Sequence, residues 1–481
     1  MTLSYFVNQE SVNVPRAINN YWTRKFDDEH VLITTEHGSW VVLDKREFDL
    51  LRTGNLIQDL NLFTNLEDKG IIITEKNFDR IASMYSKRFF PHFRGTNLHI
   101  ITPTLRCNQN CHYCYPDAVS AGKKGFDMDR ETAKDIVDFV FQSPSPSITI
   151  EFQGGEPLMN FPIVEYIVEY AKKKNASKNC DEWGWWKGEK DLAFQIVSNL
   201  TVMDDDMLDF MIKNNVRINT SLDGPKKIHD KNRPYNNGSS YSKVSYWIDK
   251  IWNEMQYKFF GAQPTITKFS LSHSKEIIDE YLKFNLNNIN LRPVFISGRA
   301  IKMWNRIGFT SEEFFDFWKN SLTYILNLNK KGINFVEGST AIILNRIVTL
   351  EPSNYTCLGM PCGACTIQAG YNQWGDVFTC DEARDDSLFK LGNVKEDNYK
   401  KIFTSQAALD FVGLTFSSQE GTWLRPYTSP CLVCTYGKQK NLVSKLPEDY
   451  IYKIHCMQIE HIFKKLIFSE DDRKIMFKWL S

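Results

Sequence analysis

Short apolar runs alternate with longer amphipathic segments through the middle of the chain. The apolar and β-branched runs predict six strands, at residues 98–105, 148–152, 194–198, 216–221, 265–271 and 289–295. Apolar residues three and four positions apart predict outer helices at residues 130–141, 163–173, 205–214, 241–255 and 275–282. Repeated strand–helix units favour a parallel sheet with right-handed crossovers. The predicted fold class is therefore α/β, and the six units predict a partial (β/α)6 barrel of the TIM type.

A different pattern fills residues 1–90. Two strands are predicted at residues 31–35 and 39–43, and they flank a turn. Helices at residues 45–51 and 56–66 and a closing strand at residues 70–73 follow. This order predicts a small α+β domain that precedes the barrel.

Length and composition set the outer limits of the interpretation. The chain has 481 residues, which predicts several domains, and we place them at residues 1–90, 91–340 and 341–481. The formal net charge is zero, which gives no support for a nucleic-acid partner. No apolar stretch has the length of a membrane span, and the N-terminus lacks a signal-peptide pattern, so we expect a cytoplasmic protein without membrane association. In a reducing compartment the 11 cysteines favour metal binding over disulfides.

Polar and glycine-containing motifs follow the predicted strands at their C-terminal ends. A TIM-type barrel places its chemistry at this end. Cys107 follows the first strand, and the later motifs are residues 154–157, residues 198–199, residues 221–224 and Arg292. Their convergence on one mouth predicts an active site there.

Cys107, Cys111 and Cys114 form a C-x3-C-x2-C group on one predicted loop. Thiolates are the usual ligands of iron–sulfur clusters, and three of them leave the fourth iron of a cubane open to a cofactor or substrate. The alternative is structural zinc, which needs four closed ligands. His112 is a candidate fourth ligand, but it lies inside the loop and would strain it. The trio therefore favours a 4Fe–4S cluster.

This spacing, with the aromatic Tyr113 before the last cysteine, resembles the signature of the radical S-adenosylmethionine (SAM) superfamily. The resemblance covers about residues 98–300. It implies that the open iron binds SAM, whose reductive cleavage gives a 5′-deoxyadenosyl radical, and that Tyr113 stacks near the adenine. The simpler interpretation of Tyr113 is packing.

The other motifs match the same superfamily in order along the chain. Gly154, Gly155, Glu156 and Pro157 resemble the segment that binds the SAM amino group, where glycines allow close approach and Glu156 accepts from the ammonium. Further contacts to SAM are implied for Ser198, Asn199, Ser221, Asp223 and Arg292. Residues 297–300 also resemble a family feature that lies near the cofactor.

A second group of cysteines occupies the C-terminal section: Cys357, Cys362, Cys365, Cys380, Cys431, Cys434 and Cys456. Their C-x9-G-x4-C and C-x2-C runs resemble the SPASM extension of radical SAM peptide maturases, which implies auxiliary 4Fe–4S clusters. The pattern departs from SPASM where Lys440 and Ser444 occupy cysteine positions. Seven thiolates cannot fully ligate two cubanes, so one or two clusters, a ligand such as His455 or His461, and zinc all stay open.

Two further residues have competing interpretations. Asp381 follows Cys380, and in sulfatase-maturing members of the family an aspartate at this place removes a proton from the substrate. The alternative for Asp381 is a surface carboxylate in the acidic run 381–386. Cys180 stands alone in a polar, tryptophan-rich stretch, and we interpret it as a free thiol.

The N-terminal pattern resembles the winged-helix-like domain that takes a leader peptide as an added edge strand in ribosomal-peptide maturation. The whole layout resembles the radical SAM maturase of the His-Xaa-Ser peptide system. This resemblance implies an enzyme that modifies a ribosomally synthesised precursor peptide or protein. Its implied partners are an electron donor such as flavodoxin or ferredoxin and a second radical SAM maturase. The alternatives are a formylglycine-generating sulfatase maturase and a zinc-stabilised, non-catalytic binding protein.

Overall fold

A computed structural model describes residues 17–177, 188–349, 357, 359–384, 386–417, 422–442 and 450–480. Cys180 and Ser444 lie outside these ranges. The chain divides into two compact units. The first contains residues 1–90, 346–352 and 420–427, and the second contains residues 91–345, 353–419 and 428–481.

The first unit contains a three-stranded antiparallel sheet followed by helices. Its elements are β1 (Ala17–Ile18), β2 (Tyr21–Lys25), β3 (His30–Thr35), β4 (Trp40–Asp44), α1 (Lys45–Thr53), α2 (Leu60–Asp68), β5 (Ile72–Ile73) and α3 (Phe78–Phe89). The sheet order is β2-β3-β4, and β1 pairs with β5. The structure confirms the predicted strands and the helix at residues 45–51. The predicted helix at residues 56–66 is instead a short 3-10 turn at Leu56–Gln58 followed by α2, because Asp59 caps the start of α2. The elements β1, β2 and α3 are additions that the pattern does not predict.

Local sequence determines where α1 begins and ends. The Glu47 N–H donates to Asp44 at 2.7 Å and the Asp44 N–H donates to Glu47 at 2.9 Å, which is a reciprocal capping box. Gly54 ends the helix at a φ of 74°, a left-handed conformation that favours glycine. Leu51 of this helix is buried in the same apolar core as Ile33 of β3.

Residues 422–427 belong to this first unit and bind its β3–β4 hairpin. The Thr34 hydroxyl donates to the Trp423 carbonyl at 2.9 Å. The Tyr427 hydroxyl donates to the Gly38 carbonyl at 2.9 Å. Because these partners are almost 400 positions apart in the sequence, periodicity does not predict them.

The second unit carries the repeated strand–helix pattern. From the N-terminal side the elements are β6 (Leu98–Thr104), β7 (Arg106–Cys107), β8 (Val119–Ser120), α4 (Arg130–Val140), β9 (Ser147–Gly154), α5 (Phe161–Ala176), β10 (Asp191–Ser198), α6 (Asp205–Lys213), β11 (Arg217–Ser221), α7 (Lys226–Asn232), α8 (Ser240–Ile248), β12 (Phe260–Gln263), β13 (Thr265–Ile266), α9 (Ser274–Lys283), β14 (Asn288–Ile289), β15 (Arg292–Pro293), α10 (Arg299–Ile307), α11 (Ser311–Lys330), β16 (Val336–Glu337) and α12 (Gly338–Val348). The C-terminal section adds β17 (Gln368–Tyr371), β18 (Asp376–Phe378), β19 (Lys390–Asn393), α13 (Tyr399–Phe403), α14 (Gln406–Ser417), α15 (Leu432–Gln439), α16 (Tyr450–Phe468) and α17 (Glu470–Lys478).

An eight-stranded sheet organises this unit in the order β12-β11-β10-β9-β6-β17-β18-β19. The strands β6 and β9 to β12 run parallel, as the strand–helix pattern predicts. β17 adds to β6 in parallel, and β18 and β19 continue antiparallel. The cysteine-rich section therefore extends the barrel sheet itself. Alternate residues of β9 are fully buried, and Glu151 and Gln153 between them line a cavity.

The predicted strands at residues 265–271 and 289–295 are wrong in extent. The strand beside β11 is β12, and β13 is a two-residue strand that pairs with β15. Pro264 separates β12 from β13, and proline cannot donate to a strand ladder. After Ile266 the chain turns, with the Ser270 N–H donating to the Thr267 carbonyl at 2.8 Å.

Among the described helices, none combines the length and apolar character that a membrane span requires.

Candidate active site

The cysteine loop after β6 opens onto a cavity of about 440 Å³ that Cys107, Cys111 and Cys114 all line. Backbone N–H groups from the loop point at two of the sulfurs. The Gln109 N–H donates to Cys107 at 3.4 Å and the Ala118 N–H donates to Cys114 at 3.3 Å. N–H groups aimed at sulfur stabilise thiolate charge, so this loop suits a thiolate-bound cluster.

Arg299 holds the cysteine loop from behind. Its guanidinium donates to the Ala118 carbonyl at 2.7 Å and to the Cys111 carbonyl at 3.3 Å. It also pairs with Asp117 at 3.1 Å. The spacing around Gly298 is equally tight, because a Cβ there would lie 2.0 Å from the Tyr115 carbonyl oxygen. These contacts place Gly298 and Arg299 directly against the cysteine loop.

Gly154 ends β9 and Gly155 follows it, and both pack closely against the backbone of β6 and β7. A Cβ on Gly155 would lie 2.2 Å from the Arg106 carbonyl oxygen, and one on Gly154 would lie 2.5 Å from the Thr104 carbonyl oxygen. Glycine is required at both positions because neither backbone nor carbonyl can move away. Pro157 follows in a buried turn.

Glu156 joins the ends of β9 and β10. Its carboxylate accepts from the Ser198 hydroxyl at 2.7 Å, the Asn199 N–H at 2.8 Å and the Leu158 N–H at 3.1 Å. Burial raises the pKa of Glu156 to about 7, against these hydrogen bonds. The chain itself therefore occupies three acceptor positions of the Glu156 carboxylate. At most one position is left for the expected hydrogen bond from the SAM ammonium group.

Asp223 anchors the aromatic residue of the cysteine loop. The Tyr113 hydroxyl donates to it at 2.6 Å, the Thr265 N–H at 3.0 Å and the Arg233 guanidinium at 3.2 Å. The same guanidinium lies over the Tyr113 ring at 5.1 Å. Arg233 lies outside the recognised motifs, so the sequence alone does not identify it as a residue of the site. Ser221 lines the cavity nearby.

Asp381 lines the same cavity as the cysteine trio. It accepts from the Tyr115 hydroxyl at 3.0 Å and from the Gln153 amide at 3.3 Å. It also pairs with Arg384, whose guanidinium contacts the Tyr115 hydroxyl at 2.8 Å. Asp381 is thus held among buried groups of the cavity wall, in contrast to the surface carboxylate of the alternative interpretation.

Glu151 is a second carboxylate in this wall, which no motif identifies. It accepts from the amides of Gln153 and Gln195. Desolvation by the surrounding protein raises the pKa of Glu151 to about 7, and the charge of Asp381 adds to the rise. Its hydrogen-bond partners are neutral amides, whereas Asp381 pairs with the cation Arg384.

Arg292 and the tail meet at the far side of the cavity. Arg292 donates to Glu382 at 2.6 Å, and Cys357 lies 4.0 Å from the same carboxylate. Cys365 and Cys380 are buried in an apolar cluster of the tail, and Cys362 and Cys431 pack against it. The other two tail cysteines lie on helices, Cys434 on α15 and Cys456 on α16. Within the described ranges, no three His, Cys, Asp or Glu side chains stand close enough to hold a single metal ion, as zinc requires.

Comparison with known proteins agrees with this geometry. Residues 101–251 match the family model of the radical SAM superfamily. A cysteine-type anaerobic sulfatase-maturating enzyme of Clostridium perfringens is 26% identical over 380 residues, 75% of this chain and 94% of that enzyme. A structure of the enzyme anSMEcpe with bound AdoMet and a Cp18Cys peptide aligns with a TM-score of 0.64 at 21% identity, over 79% of this chain and 99% of that one.

A second solved fold covers more of the chain. Streptococcus suis SuiB bound to its precursor peptide SuiA aligns with a TM-score of 0.52 at 13% identity, over 90% of this chain and 99% of SuiB. Identities this low establish the fold alone. Residues 101–251 therefore carry the radical SAM match, and the relatives and the parallel sheet agree with an enzyme of this kind that uses a 4Fe–4S cluster and SAM.

Proposed function

We propose that this enzyme modifies a side chain of a ribosomally synthesised peptide, by hydrogen abstraction followed by loss of a proton to Asp381. The observation that carries the proposal is the shared cavity of the cysteine trio and Asp381. When bound, the cluster and SAM supply a radical that removes a hydrogen atom from the substrate. A carboxylate in the same cavity can then accept a proton from the substrate radical, and a one-electron acceptor of the iron–sulfur class would take the electron that this radical still carries.

Different residues of the chain have different roles in the proposed reaction. Cys107, Cys111 and Cys114 hold the cluster, and Tyr113 lines the wall where SAM binds, together with the strand-end motifs. The fully buried Asp223 lies behind this wall and accepts from the Tyr113 hydroxyl. Tyr115 and Gln153 orient the Asp381 carboxylate through the hydrogen bonds described above. An electron donor such as flavodoxin or ferredoxin and a second radical SAM maturase complete the proposed system.

Relatives that act on peptides support the substrate class. SuiB is described bound to a precursor peptide, and anSMEcpe to a Cp18Cys peptide. Sulfatase maturation is the second candidate, since cysteine-type anaerobic sulfatase-maturating enzymes align with this chain over 380 and 390 residues. The non-catalytic zinc protein receives no support, because the relatives with a printed activity are enzymes.

Co-expression tests the proposal directly. The enzyme is produced anaerobically with small peptides encoded beside its gene, and the peptides are analysed by mass spectrometry. We expect a mass change that depends on the enzyme and that vanishes when Cys107, Cys111 and Cys114 are all replaced by alanine. Formation of formylglycine in a sulfatase-derived peptide, with no change in the neighbouring peptides, would instead support the sulfatase maturase.

A further inference from the structure

Four neighbouring strands of the barrel each place a polar side chain in the wall of the active-site cavity. These side chains are Glu151 of β9, Gln195 of β10, Asn219 of β11 and Gln263 of β12. The interior of a TIM-type barrel is usually filled with branched apolar side chains, and a polar group buried there is unfavourable unless it has a partner. The polar wall therefore indicates that this part of the cavity binds a polar ligand.

Glu151 is the carboxylate of this wall. The register of the sheet places it directly beside Gln195 on β10. The amides of Gln153 and Gln195 donate to different oxygens of the Glu151 carboxylate. A carboxylate has about four acceptor positions, so about one position on each oxygen stays open. Glu151 can therefore accept further hydrogen bonds from a ligand in the cavity.

The two tail carboxylates that line the same cavity already have cations of their own. Asp381 pairs with Arg384, and Glu382 pairs with Arg292 at 2.6 Å. The charges of both arginines act on Glu151 through space, but among the described residues no cation forms an ion pair with it. Because an ionised carboxylate in a desolvated cavity needs an opposite charge, Glu151 is the carboxylate to which a ligand would supply one.

Glu151 lies deeper in the barrel than the motif residues of the same strand. Alternate residues of a strand share a face, so Glu151 lies below Gln153 and about 7 Å further from the mouth. The Gln153 amide donates to Asp381 at 3.3 Å and also to Glu151, so one side chain joins the proposed proton acceptor to the deeper carboxylate. A substrate residue that loses hydrogen beside Asp381 therefore needs a long side chain to reach Glu151 with its end.

We propose that Glu151 determines substrate specificity by binding the cationic end of a basic side chain, lysine or arginine, on the peptide residue that the enzyme modifies. The inference rests on the proposed function, since it takes a peptide as the substrate. Both side chains are long, and both carry N–H donors that suit the open acceptor positions of Glu151. The guanidinium of arginine can donate to both carboxylate oxygens at once, whereas the ammonium of lysine binds as a point charge.

Binding of short peptides to the reconstituted full-length enzyme with SAM tests this specificity. The probes are acetyl-Gly-Lys-Gly amide, acetyl-Gly-Arg-Gly amide and a norleucine analogue, which keeps the aliphatic chain of lysine without its ammonium group. Anaerobic isothermal titration calorimetry measures their affinities. We expect a basic peptide to bind at least about tenfold more tightly than the norleucine peptide, because it forms charged hydrogen bonds with Glu151.

Two variants connect this preference to Glu151. In Glu151→Gln, which keeps the shape of the side chain and removes its charge, the ratio of the two affinities should fall to about one. Glu169→Gln is the matched control, because Glu169 is an exposed residue of α5, and it should keep the ratio of the parent. The ratio is taken within one variant, so a smaller folded fraction lowers the number of binding sites and leaves the ratio unchanged.

Specific outcomes overturn the proposal. Equal affinities for the basic and norleucine peptides, or no measurable binding of any probe at millimolar concentration, would remove the cation site. A preference that survives in Glu151→Gln would place the site at another residue. Tighter binding of a glutamine peptide than of both basic peptides would show that the cavity takes a neutral side chain. None of these measurements requires hydrogen abstraction, so they still decide the specificity if co-expression contradicts the proposed function. A modified peptide whose target is neither lysine nor arginine would support that function and overturn this inference.

Discussion

The Tyr115 hydroxyl donates a 3.0 Å hydrogen bond to Asp381, two residues that lie 266 positions apart in the sequence. Tyr115 follows the last cysteine of the cluster loop, and Asp381 follows the tail cysteine Cys380. The bond therefore joins the two cysteine-bearing sections at the cavity that both line. A group placed in this way can act on a substrate that lies within reach of the cluster loop.

Asp381→Asn tests the proton-accepting role. Asparagine keeps the size of the side chain but cannot accept a proton at neutral pH, so peptide product should fall at least about 100-fold. Formation of 5′-deoxyadenosine should persist, because Asp381 is not among the proposed cluster or SAM ligands. Both products are quantified by liquid chromatography and mass spectrometry.

Asp410→Asn is the matched control, since Asp410 is an exposed carboxylate of α14. It should leave both products unchanged. A normal yield of modified peptide in Asp381→Asn would remove this residue from the mechanism and leave it a structural partner of Arg384.

Short-range chemistry of the site is predictable from the sequence, and long-range partners are not. The trio lies within eight consecutive residues, so any conformation of its loop keeps the thiols near each other. The Arg384 guanidinium contacts the Tyr115 hydroxyl although the two residues are 269 positions apart. The parallel pairing of β17 with β6 joins the two sections of the chain that carry them. The same reason hides Arg233 and Glu151, which have no motif and depend on strand register and loop packing.

The fold shows the same division. Long amphipathic helices such as α4 and α6 follow the predicted ranges within one residue, because their apolar stripe is set by local periodicity. The two-residue strands β13, β14 and β15 carry too few residues to show a period. The strands β17, β18 and β19 join the barrel sheet through tertiary pairing, which no local sequence pattern encodes.

Arg299→Ala tests the clamp on the cysteine loop. Its guanidinium satisfies the carbonyls of Cys111 and Ala118, and loss of such charged hydrogen bonds should free the loop and lower SAM cleavage roughly tenfold. Iron retained after desalting should also fall. Arg299→Lys should recover part of both, since it restores the charge without the two-carbonyl geometry.

Lys302→Ala is the control for this clamp. Lys302 pairs with the same Asp117 at 3.1 Å but is largely exposed and makes no contact with the loop carbonyls. Iron retention and SAM cleavage should stay normal in this variant. Equal losses in the two variants would show that pairing with Asp117, and not the clamp, holds the loop.

Glu151→Gln gives a pH-dependent change in stability. The pKa of Glu151 rises from 4.5 to about 7, so the folded protein binds this proton more tightly than the unfolded chain does. Stability therefore falls as pH rises from about 4.5 to about 7, by at most roughly 3 kcal/mol. Glutamine removes this loss, so its melting temperature relative to the parent should be higher at about pH 8 than at about pH 6.

Differential scanning fluorimetry of the reconstituted enzyme measures this difference. Glu169→Gln is the control, because Glu169 is an exposed residue of α5, and its difference should not change with pH. A Glu151→Gln curve parallel to that of the parent would show that Glu151 is already ionised at both pH values.

We expect the precursor's leader segment to bind as an added strand at the edge of the N-terminal sheet. Among the described residues β4 ends the sheet, and the Thr35 N–H donates to the Ser39 carbonyl across the hairpin. In an antiparallel pair, the N–H groups of successive residues point alternately toward and away from the partner strand. The Val41 N–H therefore faces Ile33 of β3, and the Val42 N–H points away from β3. A groove of about 610 Å³, lined by Asp44, Lys45, Arg46 and other residues of this unit, lies beside the end of β4. An added strand needs an edge strand and side-chain pockets, and among the described residues β4 ends the sheet beside this groove.

Val42→Pro is therefore expected to weaken binding of the precursor's leader segment at least about tenfold, because proline removes an outward donor without touching the β3–β4 ladder. Thr23→Pro is the control. The Phe26 N–H donates to the His30 carbonyl, so by the same alternation the Thr23 N–H points away from β3, at the β2 edge of the sheet. Single substitutions are sharper than deletion of residues 1–90, because residues 346–352 and 420–427 share this unit. Fluorescence anisotropy of the labelled leader with the full-length enzyme measures both. Loss of binding in Thr23→Pro alone would move the leader to β2, and normal binding in both variants would exclude strand addition at either edge.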